Sequence, residues 1–404
     1  MTSHFLTRRK LLKSASVLGC SAAASPFLTT LTLAAMPGDA RLVVIILRGA
    51  MDGLDVVQPR GDANFARLRT GLESNAQDLD GFYWLHEGLA DLMPLWRAGQ
   101  LAFVHAASTP YRDKRSHFDG QDMLEAGTAT DVAPAAVRDG WLNRLLQAMP
   151  GSAGETAFAI GRENLKILSG RAPVSNWAPN TRMALSESAR RLLQEAYHDD
   201  PLFADSALEA MELADVMARE PAASDGNTAK MQDMMRAGGG LSERALAAFA
   251  ADRLNRDTRI AAFSINGWDT HRNQEQGLKR ALGRLSQAIA TLKEGLGSNW
   301  GKTTVIAMTE FGRTVRENGT AGTDHGTGGA MILAGGAING GKVHGRWPGL
   351  SEADLYDRRD LMPTSDVRSW AAWAMRDLFS LERHVLENTV FPGLDMGGDP
   401  GIIL

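Results

Sequence analysis

Several continuous apolar runs restrict the fold of this chain more than any other feature of its sequence. These runs lack the alternation of a strand with one wet face, and they lie at residues 41–47, 101–106, 259–265, 303–308 and 330–334. Such runs are typical of strands buried on both faces of a parallel sheet. Helix-like segments alternate with them at residues 89–97, 242–254 and 274–296. The pattern therefore predicts an α/β protein built from parallel crossover units.

Composition limits the class of partner. With 404 residues and 44% hydrophobic residues, the chain can bury a full core. The formal net charge is −4, and outside the N-terminus we find no clustered basic surface of the kind that phosphate backbones require. Nucleic acid is therefore excluded as a predicted partner.

The N-terminus has the features of an export signal. A basic patch at residues 7–13 contains Arg8 and Arg9, and an uncharged Ala, Ser and Leu-rich stretch follows at residues 14–36. We interpret residues 1–36 as a cleaved twin-arginine signal, which predicts the twin-arginine translocase as a partner during export and a periplasmic or secreted destination. The Ser, Thr and Pro residues of the stretch make it too polar for a good spanning helix, so we predict no permanent membrane span.

Cys20 is the single cysteine of the chain and follows Val17-Leu18-Gly19, which is similar to a lipobox. A lipoprotein anchored through Cys20 is therefore the alternative, although the apolar run before it is short. Cleavage of the signal would leave a mature chain without disulfides or thiol chemistry.

The segment at residues 150–240 differs in character from its surroundings. Short strands are predicted at residues 158–160 and 165–168, and two polar helices between residues 186 and 219. We interpret the segment as an insertion or cap on one main domain, residues 37–404. Near the C-terminus, Ser365 is predicted to cap a helix over residues 366–378.

Polar clusters stand where apolar runs end or begin. They are GWDTH at 267–271, TEFGRT at 309–314 and TDHGTGG at 323–329. The carboxyl ends of parallel strands share one edge of a sheet, where ligands of α/β proteins bind. Because Asp, Glu and His are metal ligands, these clusters predict a metal site at that edge.

Each candidate ligand also has an ordinary structural interpretation. Asp269 and His271 are two residues apart and can point to one side, but Asp269 could instead cap a helix beside a solvated histidine. His325 lies among glycines that permit close approach to a ligand, and it could equally be part of a plain turn. Asp52 follows the first strand and could be a turn residue before Gly53. The recurrence of acids after three separate strands favours the metal interpretation.

Glu310 and Arg313 follow the strand at 303–308. A buried carboxylate such as Glu310 needs a cation or hydrogen-bond donors. Arg313 can form a structural ion pair, grip an oxyanion beside the metal, or do both.

Ser116 opens a predicted helix that runs to Ala126. The sequence Ser-x-x-Asp is close to a capping box, so capping is its default role. A hydroxyl at a helix N-terminus is also placed for attack on an anionic ester. His117 stays ambiguous at this point. Two imidazoles with several carboxylates favour Zn, Mn or Fe over Ca, with one or two ions bound.

The motifs together are similar to a known family. They are RGAMDGL, SHFDGQDMLEAG, DGWLNRL, FSINGWDTH, MTEFGRT, TDHGTGG and VHGRWPGL. The chain resembles the exported bacterial family called domain of unknown function 1501, which in turn resembles the alkaline-phosphatase and sulfatase superfamily. The resemblance implies a three-layer α/β/α sandwich with a mostly parallel central sheet, and metal-dependent hydrolysis of phosphate or sulfate esters, with a small anionic ester as substrate.

The resemblance also implies roles for the candidate residues. The implied metal ligands are Asp52, Asp269, His271, Glu310 and His325. Ser116, or a neighbour, would be the nucleophile. We add the prediction that Arg313, together with the metal, holds the oxyanion. The chain departs from the superfamily pattern in the close spacing of Asp269 and His271 and in Phe311, which stands where a histidine is usual. The alternative function is a non-catalytic metal-binding or assembly protein that keeps the fold.

The metal hypothesis makes a direct prediction. Because Asp269 and His271 are both implied ligands, Asp269→Ala and His271→Ala should each abolish metal content and hydrolytic activity. Metal analysis of the purified variants checks this, and a variant that keeps its full metal load would remove that residue from the ligand set.

Overall fold

A nine-stranded sheet forms the centre of the molecule. The computed structural model describes residues 38–71, 75–112, 114–129, 139–178 and 243–404. The strands of the central sheet are β1 Arg41–Arg48, β5 Leu101–Ser108, β6 Ala157–Ile160, β7 Ser175–Trp177, β8 Ile260–Asn266, β9 Thr303–Met308, β10 Gly329–Ala334, β11 Val343–His344 and β12 Ser365–Asp366. A separate small sheet contains β2 Val57–Gln58, β3 Gln77–Asp78 and β4 Trp84–Leu85.

Strand order brings the polar clusters to one edge. The order is β11-β5-β10-β9-β1-β8-β6-β7, and β12 also pairs with β5. Among the described strands of this sheet, β10 alone runs antiparallel to its neighbours. The carboxyl ends of β5, β9, β1 and β8 therefore meet the start of β10 at one side, which we call the carboxyl edge.

Helices cover both faces of the sheet. They are α1 Gly53–Val56, α2 Phe65–Leu68, α3 Met93–Arg97, α4 His117–Ala126, α5 Trp141–Ala148, α6 Glu243–Leu254, α7 Gln274–Leu296, α8 Val367–Phe379 and α9 Arg383–Val385. Short 3-10 turns lie at Glu87–Leu92, Gly154–Thr156, Lys166–Leu168, Gly297–Lys302 and Glu352–Asp354, and a π-helical turn at Leu386–Val390.

Alternate residues of β1 divide the core into two layers. Val43, Ile45 and Leu47 pack with α3, α6 and α7 on one face. Leu42, Val44 and Ile46 pack with α5 and α8 on the other. Because both faces of β1 are buried, its sequence is continuously apolar. The predicted α/β fold, with a mostly parallel sheet between two helical layers, is confirmed.

Most elements agree with the sequence prediction, and two local predictions are wrong. Residues 165–168 contain the 3-10 turn Lys166–Leu168 and not the predicted strand, because the Leu168 amide donates to the Leu165 carbonyl at 3.1 Å. The Ile167 amide donates to the Glu125 carboxylate at 3.0 Å rather than to a neighbouring strand. Helix α8 is capped by Asp366, whose side chain accepts from the Arg368 amide at 2.9 Å. The predicted cap Ser365 instead accepts from the indole of Trp370 at 3.0 Å.

The described part of the predicted insertion belongs to the main sheet. Strands β6 and β7 extend the sheet beyond β8 with parallel pairing. The rest of the predicted cap, with its two polar helices and its glycine hinge, lies outside the described residues. The predicted signal at residues 1–36, with Cys20, also lies outside them. Among helices that the structure does describe, none is long and apolar enough to cross a membrane.

A buried histidine makes fold stability depend on pH. His105 on β5 is fully buried, with Nε2 against the Val57 carbonyl at 2.9 Å. Burial lowers the pKa of His105 from 6.5 to about 4. Below pH ~6.5 the histidine therefore binds a proton in the unfolded chain but stays neutral in the folded chain. Proton binding stabilises the unfolded chain, so the free energy of unfolding falls as pH drops from there toward about 4. From pH ~7 to pH ~5 we expect His105 to lower the free energy of unfolding by about 2 kcal/mol.

Urea unfolding of the wild type and His105→Gln at both pH values checks this prediction. The glutamine variant should be less stable overall but less sensitive to acid, because it carries no titrating group at this position. Equal loss of stability on acidification in the two proteins would contradict it.

Candidate metal centre

Three imidazoles surround one carboxylate oxygen at the carboxyl edge. The Oδ1 atom of Asp269 lies 3.1 Å from Nε2 of His271, 3.3 Å from Nε2 of His325 and 3.4 Å from Nε2 of His117. Ligand atoms of His117, Asp269 and His325 all lie within 4.8 Å of one another. We call these four residues the Asp269 cluster.

The strand arrangement explains why residues so distant in sequence meet. His117 begins α4, which follows β5, and Asp269 and His271 follow the end of β8. His325 precedes β10, and the reversed direction of β10 places its start at the carboxyl edge. The sheet therefore gathers Asp269, His271 and His325 as predicted from the sequence, and it adds His117.

The outer nitrogen of each imidazole contacts an acceptor of the protein. Nδ1 of His117 lies 2.7 Å from Oε1 of Glu310, and Nδ1 of His271 lies 3.2 Å from Oδ1 of Asp324. Nδ1 of His325 lies 2.9 Å from the Arg115 carbonyl. A backbone carbonyl and an ionised carboxylate can only accept, so each Nδ1 can donate a proton outward, and a ring that is neutral in this tautomer would turn a lone pair on Nε2 inward.

Both carboxylates that orient these rings are held in the ionised form. Burial opposes ionisation of Glu310, but hydrogen bonds from His117, Gln121 and Thr309 outweigh it and lower its pKa. A hydrogen bond from Asn318 is the main cause that lowers the pKa of Asp324. Outer partners of this kind are typical of metal-ligating histidines, because they fix the tautomer and the ring orientation.

The crowded inward nitrogens require a proton or a metal cation between them. Nε2 of His271 and Nε2 of His325 are only 2.9 Å apart, and Nε2 of His117 is buried with Oδ1 of Asp269 3.4 Å away. Hydrogen bonds to Asp269 and then to Glu310 raise the pKa of His117 to about 9. A proton and a metal cation therefore compete for this centre. Three imidazole nitrogens with one carboxylate oxygen are a donor set that fits a divalent transition metal.

The buried side chain of Arg313 holds Asp269 in place. Its side chain is 0% exposed and forms an ion pair with Oδ1 of Asp269. Its other hydrogen bonds reach the carbonyls of Ala50 at 2.8 Å, Thr323 at 2.6 Å and Gly49 at 3.0 Å. Burial opposes ionisation of Asp269, but hydrogen bonds from His117, His325 and Arg313 hold its pKa well below the usual range. The geometry makes Arg313 a positioning residue, whereas the sequence predicted that it holds a substrate oxyanion.

Asp52 lies apart from the Asp269 cluster. Its carboxylate is 1% exposed and forms two hydrogen bonds with Arg69, at 2.7 and 3.1 Å. Gln274 and Thr323 also donate to it, at 2.7 and 3.2 Å. Burial opposes its ionisation, but the Arg69 guanidinium outweighs this and lowers the pKa of Asp52. Arg69 thus supplies the positive charge that a second cation would bring.

Glu310 reaches the cluster only through a histidine. Besides His117, its Oε1 accepts from the Gly49 amide at 3.0 Å and from Gln121 at 3.1 Å. Its Oε2 accepts from Thr309 at 2.8 Å. These donors satisfy the buried carboxylate, which orients His117, whereas the sequence predicted it as a direct ligand.

Ser116 is the N-cap of α4. Its Oγ accepts from the Asp119 amide at 3.4 Å, and its own amide donates to the Tyr111 hydroxyl at 2.8 Å. The residue lies in sequence between Arg115, whose carbonyl contacts His325, and His117, which belongs to the cluster. The default capping role is observed, and the nucleophilic role stays a prediction.

The sequence leaves the role of His117 open, and it shows Phe311 only as a residue that stands where a histidine is usual. The Phe311 ring stacks on His117 with centroids 5.2 Å apart and packs against His325 at 5.3 Å. Gly120 permits this packing, because a Cβ there would lie 2.9 Å from the Phe311 ring. The position of His117 in the sequence could have indicated its place in the cluster, because it opens the helix after β5 at the carboxyl edge.

The fold and the cluster define an α/β protein with a candidate metal site at the carboxyl edge of its sheet. The chain belongs to the family described as protein of unknown function (DUF1501), which matches residues 68–390. The predicted family is thereby confirmed. A comparison with curated proteins finds no match.

Several solved structures are similar to the chain at low identity. The integral membrane protein lipooligosaccharide phosphoethanolamine transferase A from Neisseria meningitidis is 11% identical with a TM-score of 0.35, and the match covers 81% of this chain and 55% of that one. The C-terminal periplasmic domain of EcEptC from Escherichia coli, in complex with Zn, is 10% identical with a TM-score of 0.40, covering 91% and 92%. A protein in the alkaline phosphatase superfamily from Vibrio parahaemolyticus is 11% identical with a TM-score of 0.37, covering 89% and 71%.

The chain spans 55% of the length of the transferase from Neisseria meningitidis. Likeness at these identities and TM-scores assigns no function and no site residue to this chain.

The geometry assigns different roles to His117, a candidate metal ligand, and to Glu310, which orients its ring. His117→Ala should abolish metal binding, because it removes an inward nitrogen. Glu310→Gln keeps an oxygen that can accept from Nδ1 of His117 but removes the charge, so it should weaken metal affinity by roughly 10- to 100-fold. Competition with a chelator on the purified proteins measures both effects.

Matched controls come from the same chain. His384 is exposed, and Glu163 bonds to Arg48, Ser264 and Asn266 rather than to the cluster histidines. His384→Ala and Glu163→Gln should both keep wild-type metal affinity. A Glu310→Gln variant with as little metal as His117→Ala would indicate that Glu310 binds the ion directly.

Proposed function

We propose that the protein is a metal-dependent hydrolase of phosphate or sulfate esters with its site at the Asp269 cluster. The observation that carries this proposal is the convergence of three inward Nε2 atoms on Oδ1 of Asp269, with each Nδ1 anchored to a protein acceptor. A cluster preorganised in this way is suited to a cation that polarises an oxyanion.

His117, Asp269, His271 and His325 would hold the cation. Their nitrogen-rich donor set favours Zn, Mn or Fe over Ca, which prefers oxygen ligands. A divalent cation held there would act as a Lewis acid on an ester oxygen and lower the pKa of a hydroxyl at its edge. Because Arg69 neutralises Asp52, we favour one ion over two.

The chain itself supplies the remaining groups. Ser116 stands at the N-terminus of α4, where helix amides and the helix dipole favour a bound anion. Its hydroxyl is adjacent in sequence to His117. We propose that the hydroxyl oxygen attacks the phosphorus or sulfur in line and loses its proton, while the bond to the ester oxygen breaks and the alcohol leaves with a proton. Water then cleaves the resulting serine ester, which releases phosphate or sulfate and restores the hydroxyl. Arg313 and Glu310 keep Asp269 and His117 in place during this step.

The proposal extends to location and partners. Residues 1–36 would direct export by the twin-arginine translocase, and the substrate would be a small anionic ester in the periplasm or outside the cell. Folded export agrees with a protein that binds its metal before it leaves the cytoplasm.

The nucleophilic role of Ser116 is tested by a variant that keeps the cap. Ser116→Asn retains a side-chain acceptor for the first turn of α4, so it should cost less than about 1 kcal/mol of stability and leave metal content unchanged. It removes the hydroxyl, and turnover of phosphate and sulfate esters should fall to background. Steady-state assays with the Zn, Mn and Fe forms measure this effect.

Two results would count against the proposal. Wild-type turnover in Ser116→Asn would exclude the hydroxyl as nucleophile. A metal-loaded wild type without turnover on any phosphate or sulfate ester would favour a non-catalytic metal-binding or assembly protein.

A further inference from the structure

Two arginines share one buried carboxylate beside His325. Nη1 of Arg359 lies 2.8 Å from Oδ1 of Asp360, whereas Nη2 of Arg115 lies 3.9 Å from Oδ2 of the same residue. Asp360 is 0% exposed and also accepts from Thr327 at 2.9 Å. Arg359 also lies close enough to Asp324 for its charge to lower the pKa of that carboxyl, so Arg359 is engaged by two carboxylates, whereas the ion pair of Arg115 with Asp360 is long.

Arg115 is the less engaged of the two cations. Its side chain is 40% exposed, and the 3.9 Å separation from Asp360 is too long for a direct hydrogen bond. Arg359 is engaged more closely, because its Nη1 also donates to the His325 carbonyl at 2.9 Å. Of these two cations, the Arg115 guanidinium is therefore the one available to a ligand.

The backbone of Arg115 ties this charge to the Asp269 cluster. The residue has φ 52°, a left-handed conformation that is uncommon for a residue other than glycine. In this conformation its carbonyl accepts the hydrogen bond of His325 Nδ1 at 2.9 Å, and the next residue is Ser116. A strained backbone at such a place is consistent with a functional constraint.

We infer that Arg115 binds the anionic group of the substrate at the His325 side of the cluster. This inference rests on the proposed function and adds the residue that selects the substrate class. A guanidinium presents a planar fork that matches two oxygens of a tetrahedral oxyanion. Arg313 is fully buried beneath Asp269 and cannot offer that fork to a ligand. The predicted class is an ester with a charged phosphoryl or sulfuryl group, and neutral esters are excluded.

Binding of inorganic phosphate and inorganic sulfate to the zinc-loaded protein tests the inference without the true substrate. Isothermal titration should show that Arg115→Met weakens phosphate binding by roughly 10- to 100-fold, as expected for the loss of charge-assisted hydrogen bonds. Arg115→Lys should lie between the two, since it keeps the charge but loses the fork. All variants should retain the zinc content of the wild type.

Arg171→Met is the matched control. Arg171 is 86% exposed, and its Nε lies 3.8 Å from Oδ2 of Asp139, so it resembles Arg115 in having a long ion pair. It differs from Arg115 in its place, because it lies shortly before β7 in the sequence. Phosphate binding by this variant should equal that of the wild type. Equal affinity in Arg115→Met and the wild type, or equal weakening in both methionine variants, would overturn the inference and leave the metal centre intact. A wild type that takes up no zinc, manganese or iron would contradict the proposed function itself, and the inference would fall with it.

Discussion

The buried guanidinium of Arg313 is the interaction on which the rest of the site depends. It joins Asp269, which follows β8, to the carbonyls of Gly49 and Ala50 after β1 and of Thr323 before β10. Three loops from separate strands thus share one cation. Its desolvation is offset only because carbonyl oxygens and one carboxylate surround it. Removing this side chain would leave those acceptors unsatisfied beneath the cluster.

The direction of β10 completes the arrangement. A fully parallel sheet would send the residues before each strand to the opposite edge, and His325 would then lie far from Asp269. Because β10 pairs antiparallel with β5 and β9, the loop before it reaches the carboxyl edge. Strand direction thus decides which residues can act together in this fold.

Much of the fold and part of the site could be predicted from the sequence. Strand β9 and helix α7 have the predicted bounds, because buried apolar runs and amphipathic periodicity are local signals. Asp269, His271 and His325 could be grouped since each flanks a strand at one edge. The separation of Asp52 from this group could not be predicted. Its partner Arg69 is 17 residues away, and nothing local distinguishes a carboxylate that meets an arginine from one that meets a metal.

The ion pair of Arg69 with Asp52 has a consequence for a cell short of metal. Arg69 neutralises Asp52 without any dissolved ion, so the structure around this ion pair does not depend on the supply of metal cations. At the Asp269 cluster, Arg313 already balances the carboxylate, but the crowded imidazole nitrogens have no internal cation between them, and an unloaded centre holds them together by taking up protons. Scarcity would therefore be felt locally at the rings, while the scaffold beneath them stays assembled.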